Sequence, residues 1–292
     1  MRIDLHTHSV VSDGTQTPTE LVHAAHAAGL DVVALTDHDT AAGWDEAVTA
    51  ARQVGIGLVR GMELSTHHHG RGVHLLAYLP DPSHPGLAAE MARVLDGRGS
   101  RAPAILAALR ELGIDLHADE IVAEVPGRPH VADALVRRGE VASRDEAFER
   151  FLNPGRPAYV DRYATPLTTA IRLVTEAGGA SVIAHPWGRG HRDTLPATEL
   201  ARLARAGLSG VEVDHQDHDA DARTELRAIA RDLDLVATGS SDHHGLGKVD
   251  HGLGVNTTDP HQYERLLERA ATASAASGRT TPEVVVPGTT PR

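Results

Sequence analysis

The chain has 292 residues, 41% of them hydrophobic and only 3% aromatic, with a formal net charge of −12. That length supports one large domain or one domain carrying an insertion, and no run nears the ~18 apolar residues of a membrane helix. The absence of cysteine excludes disulfides and thiolate metal sites, and the acidic balance argues against a surface that coats nucleic acid.

The opening, MRIDLHTHS, is unlike a signal peptide, so a cytoplasmic location is expected. Short β-rich runs then alternate with Ala-rich amphipathic stretches, the pattern of βα units around a parallel sheet or barrel. Strands are predicted near 2–5, 32–36, 56–63, 73–79, 181–184, 210–213 and 234–238. Helices are predicted near 18–28, 42–54, 86–96, 167–177, 196–206, 219–232 and 260–273. Thr17-Pro18 offers a hydroxyl cap and a first-turn proline, and Gly29 and Gly55 stand where helices end. The stretch 98–162 breaks the rhythm with short helices at 101–112, 117–123, 130–138 and 145–152 and no convincing strand. It reads as an inserted helical cap on a barrel formed by 1–97 and 163–273. From Ser274 the Pro/Thr/Gly-rich chain reads as a flexible tail, 274–292.

Histidine is the informative residue, at 20 per chain. The first strand runs into His6-Thr7-His8, the second into Asp37-His38-Asp39, and the third ends at Glu63. The 181–184 strand ends at His185, the 210–213 strand holds Glu212 and leads to His215, and the last leads to Asp242-His243-His244. In a parallel barrel these ends share one face, where such folds place their chemistry. His23, His26 and His261 fall on helix surfaces instead. His74 begins its strand, but if 56–63 and 73–79 pair as a hairpin it meets Glu63. Alternating His6 and His8 point the same way, a carboxylate can bridge two cations, and imidazoles suit Mn-, Fe- and Zn-type ions. Asp37 and Asp39 read as residues that orient His38 or cap a helix, and Glu212 as an outer partner of a ligand. His67-His68-His69 reads as a solvated loop in the hairpin turn. Arg128, His130 and Arg189 are candidate phosphate contacts. His191, His215 and His218 are candidate acids.

The segments DLHTHS with Asp13 after it, LTDHD, GMELS, VHLLAY, IAHP, GVEV and SSDHH, in this order, resemble the PHP (polymerase and histidinol phosphatase) family. The resemblance implies an α/β fold, a distorted (β/α)7 barrel with a trinuclear metal site. One ion would take His6, His8, Glu63 and Asp242; a second would share Glu63 and add His74 and His185; a third would take Asp13, His38 and His244. Some members have histidine where Asp13 stands. A metal-bridging hydroxide held by Glu63, Asp242 and His8 would be the nucleophile, with two or three divalent ions, Mn²⁺ foremost and Fe²⁺ or Zn²⁺ as alternatives. GRPHVADALV and NPGRPAYV resemble the branch that hydrolyses nucleoside 3′,5′-bisphosphates and short RNA 5′ ends. The expected substrate is therefore a small phosphorylated nucleotide, with short RNA or histidinol phosphate as alternatives and no obligate protein partner implied. A non-catalytic metal-binding module is the rival of another class. An amide hydrolase built on a carboxylated lysine is disfavoured, because the one lysine, Lys248, follows the last motif.

Overall fold

The computed structural model describes residues 1–123, 126–188 and 192–288. The chain forms two compact units, Met1–Glu90 with the chain from Thr165 onward, and Met91–Ala164. These divisions fall at 90/91 and 164/165, against the expected 97/98 and 162/163.

The first unit is the α/β one. Its elements in order are β1 (Ile3–Asp4), α1 (Pro18–Ala27), β2 (Val32–Leu35), α2 (Trp44–Val54), β3 (Gly57–His68) and β4 (Arg71–Tyr78), then the start of α3 (Pro85–Glu111). The long α3 continues into the second unit, where α4 (Arg128–Arg137) and α5 (Arg144–Ala147) follow. The first unit resumes with β5 (Thr165–Pro166), α6 (Leu167–Glu176), β6 (Ala180–Ile183), α7 (Ala197–Arg205), β7 (Gly210–Asp214), α8 (Ala220–Asp232), β8 (Val236–Gly239) and α9 (Pro260–Ser277). Helix α1 starts where Thr17 and Glu20 cap each other's backbone amides, with Pro18 in the first turn. Helix α2 stops at Gly55, whose φ of 76° suits a residue without Cβ.

The strands follow the order β1-β2-β3-β4-β6-β7-β8, with β5 paired to β3. Strand β4 is antiparallel to both its neighbours, while the other neighbouring pairs along this path are parallel. Beyond β1 and β8, Thr7 bridges His243, and the His8 amide donates to the His243 carbonyl at 2.8 Å, so the sheet curls into a nearly closed barrel. Strands β2 and β6, VVAL and ASVI, are buried along their whole length, as parallel strands covered on both faces must be. The core is aliphatic, as the low aromatic content requires: Ile3, Leu5, Val59, Leu76, Val182 and Val236 pack together with Tyr78. The distorted (β/α)7 barrel is therefore the architecture, and the reversed β4 is its distortion.

Three local expectations are corrected. Helix α3 runs unbroken through Gly97–Gly99 and Pro103, where two helices were predicted. Burial of Ile105, Leu106 and Leu109 outweighs the weak local propensity. Strand β3 extends to His68, so the hairpin turn is shorter than predicted. The segment from Ser274 is not a loose tail over its described length. Helix α9 reaches Ser277, and Val285 exchanges both backbone hydrogen bonds with Leu58 at 3.0 Å. The physical reason is an open ladder: β4 pairs with β3 only from Gly61 onward, leaving the Leu58 backbone to the β-branched Val285.

The second unit, taken by itself, is helical among its described residues. Ile105, Leu109, Leu116, Val131, Leu135, Phe151 and Leu152 form its core. The predicted 117–123 helix is a single 3₁₀ turn at Ala118–Glu120, and α5 runs into a π turn at Phe148–Leu152. Arg144 grips Asp133 through two bonds of 2.5 and 2.6 Å.

Candidate metal centre

The chain places His6 and His8 where strand alternation directs both side chains inward, and both are fully buried. Their Nε2 atoms lie 3.2 and 3.1 Å from Glu63 Oε2, and each lies 3.4 Å from Asp242 Oδ1. Glu63 is the hub. His38 Nδ1 is 3.3 Å from its Oε2, and His74 Nδ1 and His185 Nε2 are 2.7 and 3.3 Å from its Oε1. The hairpin explains His74: it pairs with Ser65, which puts it diagonally beside Glu63 on one face. Asp13 faces His244, His38 and His8 at 3.3, 3.7 and 3.8 Å. All nine predicted ligand residues thus come together in the barrel unit.

Ring-nitrogen partners show what this cluster suits. His6 Nδ1 faces the Glu212 carboxylate at 3.2 Å, and His244 Nδ1 faces the Asp242 carbonyl at 2.8 Å. Both partners accept, so in a neutral ring Nδ1 carries the hydrogen and Nε2 presents a lone pair. Those lone pairs point at carboxylate oxygens. The Nε2 atoms of His6 and His8 and Nδ1 of His74 are buried without a hydrogen-bond partner. Lone pairs and carboxylates facing one another in a buried site repel unless a cation lies between them, so the donor set fits divalent ions. The electrostatics show how strongly the carboxylates draw positive charge into this pocket. Burial lowers the His6 pKa, but Glu63, Asp242 and Glu212 outweigh it and raise it well above the ordinary value. Burial opposes ionisation of Glu63, yet His74, His38 and His6 hold it well below the usual carboxylate range. Burial, reinforced by His215, brings His185 down to about 3, and burial with His8 and Lys248 brings His244 to about 4. Both rings are therefore neutral donors at ordinary pH.

The surrounding framework departs from expectation at the aspartates. Asp37 neither orients His38 nor caps a helix. It accepts from the Ser9 amide (2.8 Å), the Ser9 hydroxyl (2.6 Å) and the Ser12 hydroxyl (2.6 Å), fixing the loop that carries Asp13. Gly14 is required in that loop, since a Cβ there would sit 2.4 Å from the His8 carbonyl oxygen. Asp39 accepts from the Ser65 amide and hydroxyl at 2.6 and 2.7 Å. Glu212 supports the cluster on two sides, through His6 Nδ1 and the His185 amide at 2.8 Å. Asp39, His185 and Asp242 have φ of 59°, 30° and 53°, in the left-handed region that non-glycine residues avoid and functional sites tolerate.

His218 lacks a free nitrogen, because Nε2 accepts from the Trp187 amide and Nδ1 donates to the Val213 carbonyl. His215 differs: Nδ1 accepts from the Asp217 amide, so its proton sits on Nε2, 3.4 Å from Asp242 Oδ2. Arg189 and His191 lie outside the described residues. In the helical unit, Arg128 lies over the Phe148 ring at 5.3 Å and donates to the Leu152 carbonyl, and His130 Nδ1 accepts from the Gly127 amide.

Sequence reasoning missed four residues. A 3₁₀ turn at Gly245–Gly247 folds Lys248 back so that its ammonium contacts Asp242 Oδ2, which corrects its placement as remote. His251 forms a further cluster with His215 and Asp242. Asp4 accepts from the amides of Ser241 and Gly254, at 3.0 and 2.9 Å, and so anchors the strand end bearing Asp242. His68 is buried against Glu199, not solvated. That Lys248 is the sole lysine was the one available signal.

Comparison with known proteins agrees with this geometry. Residues 4–118 match the PHP domain model. The chain is 37% identical over 262 residues to a 5′-3′ exoribonuclease of Haemophilus influenzae, covering 88% of this chain and 96% of that protein. It is 35% identical over 257 residues to a 3′,5′-nucleoside bisphosphate phosphatase of Chromobacterium violaceum, covering 86% and 90%. A crystal structure from Bifidobacterium adolescentis, assigned as a metal-dependent phosphoesterase, superposes with a TM-score of 0.87 at 36% identity, over 91% of this chain and 96% of that one. With this likeness along nearly its whole length, and with a buried donor set built for divalent cations, the chain belongs to the PHP domain family of metal-dependent phosphoesterases.

Proposed function

We propose that the chain is a cytoplasmic phosphomonoesterase that removes the 3′-phosphate of nucleoside 3′,5′-bisphosphates, leaving a 5′-nucleotide. The observation that carries this reading is the convergence of His6, His8, His38, His74 and His185 on Glu63, beside Asp242. The relative named for that substrate supports it. His6, His8, Glu63 and Asp242 would hold one ion, Glu63, His74 and His185 a second, and Asp13, His38 and His244 a third, with Mn²⁺ the first choice. Bound there, such ions would activate water near neutral pH and neutralise phosphoryl oxygens.

The remaining roles fall to the chain itself. Glu212 fixes the His6 tautomer, Asp4 anchors the Ser241 amide next to Asp242, and His215 Nε2 faces the Asp242 carboxylate. Among the described candidates, His215 is proposed as a hydrogen-bond donor to the leaving oxygen, because its Nε2 hydrogen faces the cluster while Nε2 of His218 accepts from the Trp187 amide; the proton itself would come from water. Arg128 is proposed as a phosphate contact on the chemistry of its planar guanidinium.

Release of phosphate from adenosine 3′,5′-bisphosphate by metal-stripped protein, with and without added Mn²⁺, tests this reading. Strong Mn²⁺-dependent release is expected. Asp242→Asn and His8→Ala should each lose more than the roughly 10–100-fold typical of removing an outer partner, with circular dichroism unchanged. Full activity in either would overturn the site. A second reading, 5′-to-3′ hydrolysis of short RNA, is favoured by the similarity to the exoribonuclease. Turnover of a 5′-phosphorylated oligonucleotide without release from the bisphosphate would select it. Turnover of histidinol phosphate alone would displace both.

A further inference from the structure

The His67-His68-His69 run is left over once the barrel mouth is accounted for. Strand β3 ends at His68, and alternation would turn His69 to the opposite face. It does not turn away, because His69 takes a φ of 47° as the chain enters the turn at Gly70. The rings of His68 and His69 are brought to 4.1 Å. Both reach one carboxylate from another element: Glu199, in the first turn of α7, has Oε1 2.6 Å from His68 Nε2 and 3.8 Å from His69 Nε2. Arg202 holds the same carboxylate, its Nε donating at 2.9 Å to Oε1 and 3.0 Å to Oε2 and its Nη2 at 2.7 Å to Oε1. His68 is buried, Glu199 half-buried and His69 exposed, so the cluster is preformed on one side and open on the other.

Two imidazoles and one carboxylate on a fixed frame, with a position open to water, suit a borderline transition-metal ion and not Mg²⁺ or Ca²⁺, which require oxygen donors. The site lies five residues beyond Glu63, about 16 Å along the strand, and shares no residue with the barrel cluster. We infer that His68, His69 and Glu199 form a separate site for a Zn²⁺-class ion that clamps the tip of the β3–β4 hairpin to α7. Because the same hairpin carries Glu63 and His74, an ion at the tip would restrain the strands that present them.

The test uses the full chain loaded with Mn²⁺ and then equilibrated with Zn²⁺, comparing the parent protein with His69→Ala and Glu199→Gln. His69 is exposed, so its removal leaves folding intact. Total metal per chain, counted after gel filtration, should fall by one in each variant. A Zn²⁺-dependent rise in the thermal midpoint should appear in the parent and vanish in both variants, with Mn²⁺-supported phosphate release unchanged. Asp242→Asn, which weakens the barrel cluster alone, should keep the tip zinc. Equal metal counts and equal midpoint shifts in parent and variants would overturn the inference and leave His68–Glu199 as a hydrogen bond.

Discussion

At the scale of single residues, the cluster depends on groups that face away from it. Glu212 takes the Nδ1 side of His6 and the amide of His185, fixing two donors with one carboxylate. Glu212→Gln keeps the shape but removes the charge that selects the His6 tautomer. It is expected to lower Mn²⁺ affinity about 10–100-fold, measured by titrating the metal-stripped protein; an unchanged affinity would refute the supporting role. His6 and His8 were legible in the sequence because strand alternation is local: the pair needs only a strand end to share a face. Asp37 was read as a neighbour of His38, yet its hydroxyl and amide partners come from the Ser9–Ser12 loop, a tertiary contact that spacing does not encode. Lys248 was missed for a local reason, the 3₁₀ turn at Gly245–Gly247 that folds it back onto Asp242.

At the scale of elements, the β3–β4 hairpin decides where Glu63 and His74 meet. Its pairing was predicted from the turn-like segment between the two strands. Its length was misjudged, because three histidines before Gly-Arg-Gly resemble a loop although only His69 and Gly70 form the turn. The Tyr78 hydroxyl ties the hairpin to the chain just after β1, donating to the Leu5 carbonyl at 2.8 Å. Tyr78→Phe would leave that buried carbonyl without this donor, at a cost of about 1–3 kcal/mol, read as a lower midpoint in urea with an unchanged slope. The long α3 teaches a related lesson. Gly97, Gly99 and Pro103 argue locally for a break, and burial of the helix face beyond them overrides it.

At the scale of the whole molecule, the last described segment belongs to the barrel unit: Val285 pairs with Leu58, and Arg279 binds Asp81 at 2.7 Å. Composition misled here, since Pro, Thr and Gly surround a VVV triplet that suits a strand edge. Ending the chain at Ser277 should lower the thermal midpoint by roughly 2–4 °C for each kcal/mol lost, while bisphosphate turnover at 25 °C persists; an unchanged midpoint would mean that the segment adds nothing to stability. The reversal of β4 also sets the order in which the donor cluster can form. A hairpin closes within roughly 1–10 μs, so Glu63 and His74 can meet early. Asp242 reaches His6 and His8 only when the two ends of the barrel join, through contacts such as that of Ser241 with Asp4 across 237 positions of sequence. Contacts of such separation are slow to form. One part of the donor cluster is therefore a local product of folding, and the rest is a reward for finishing it.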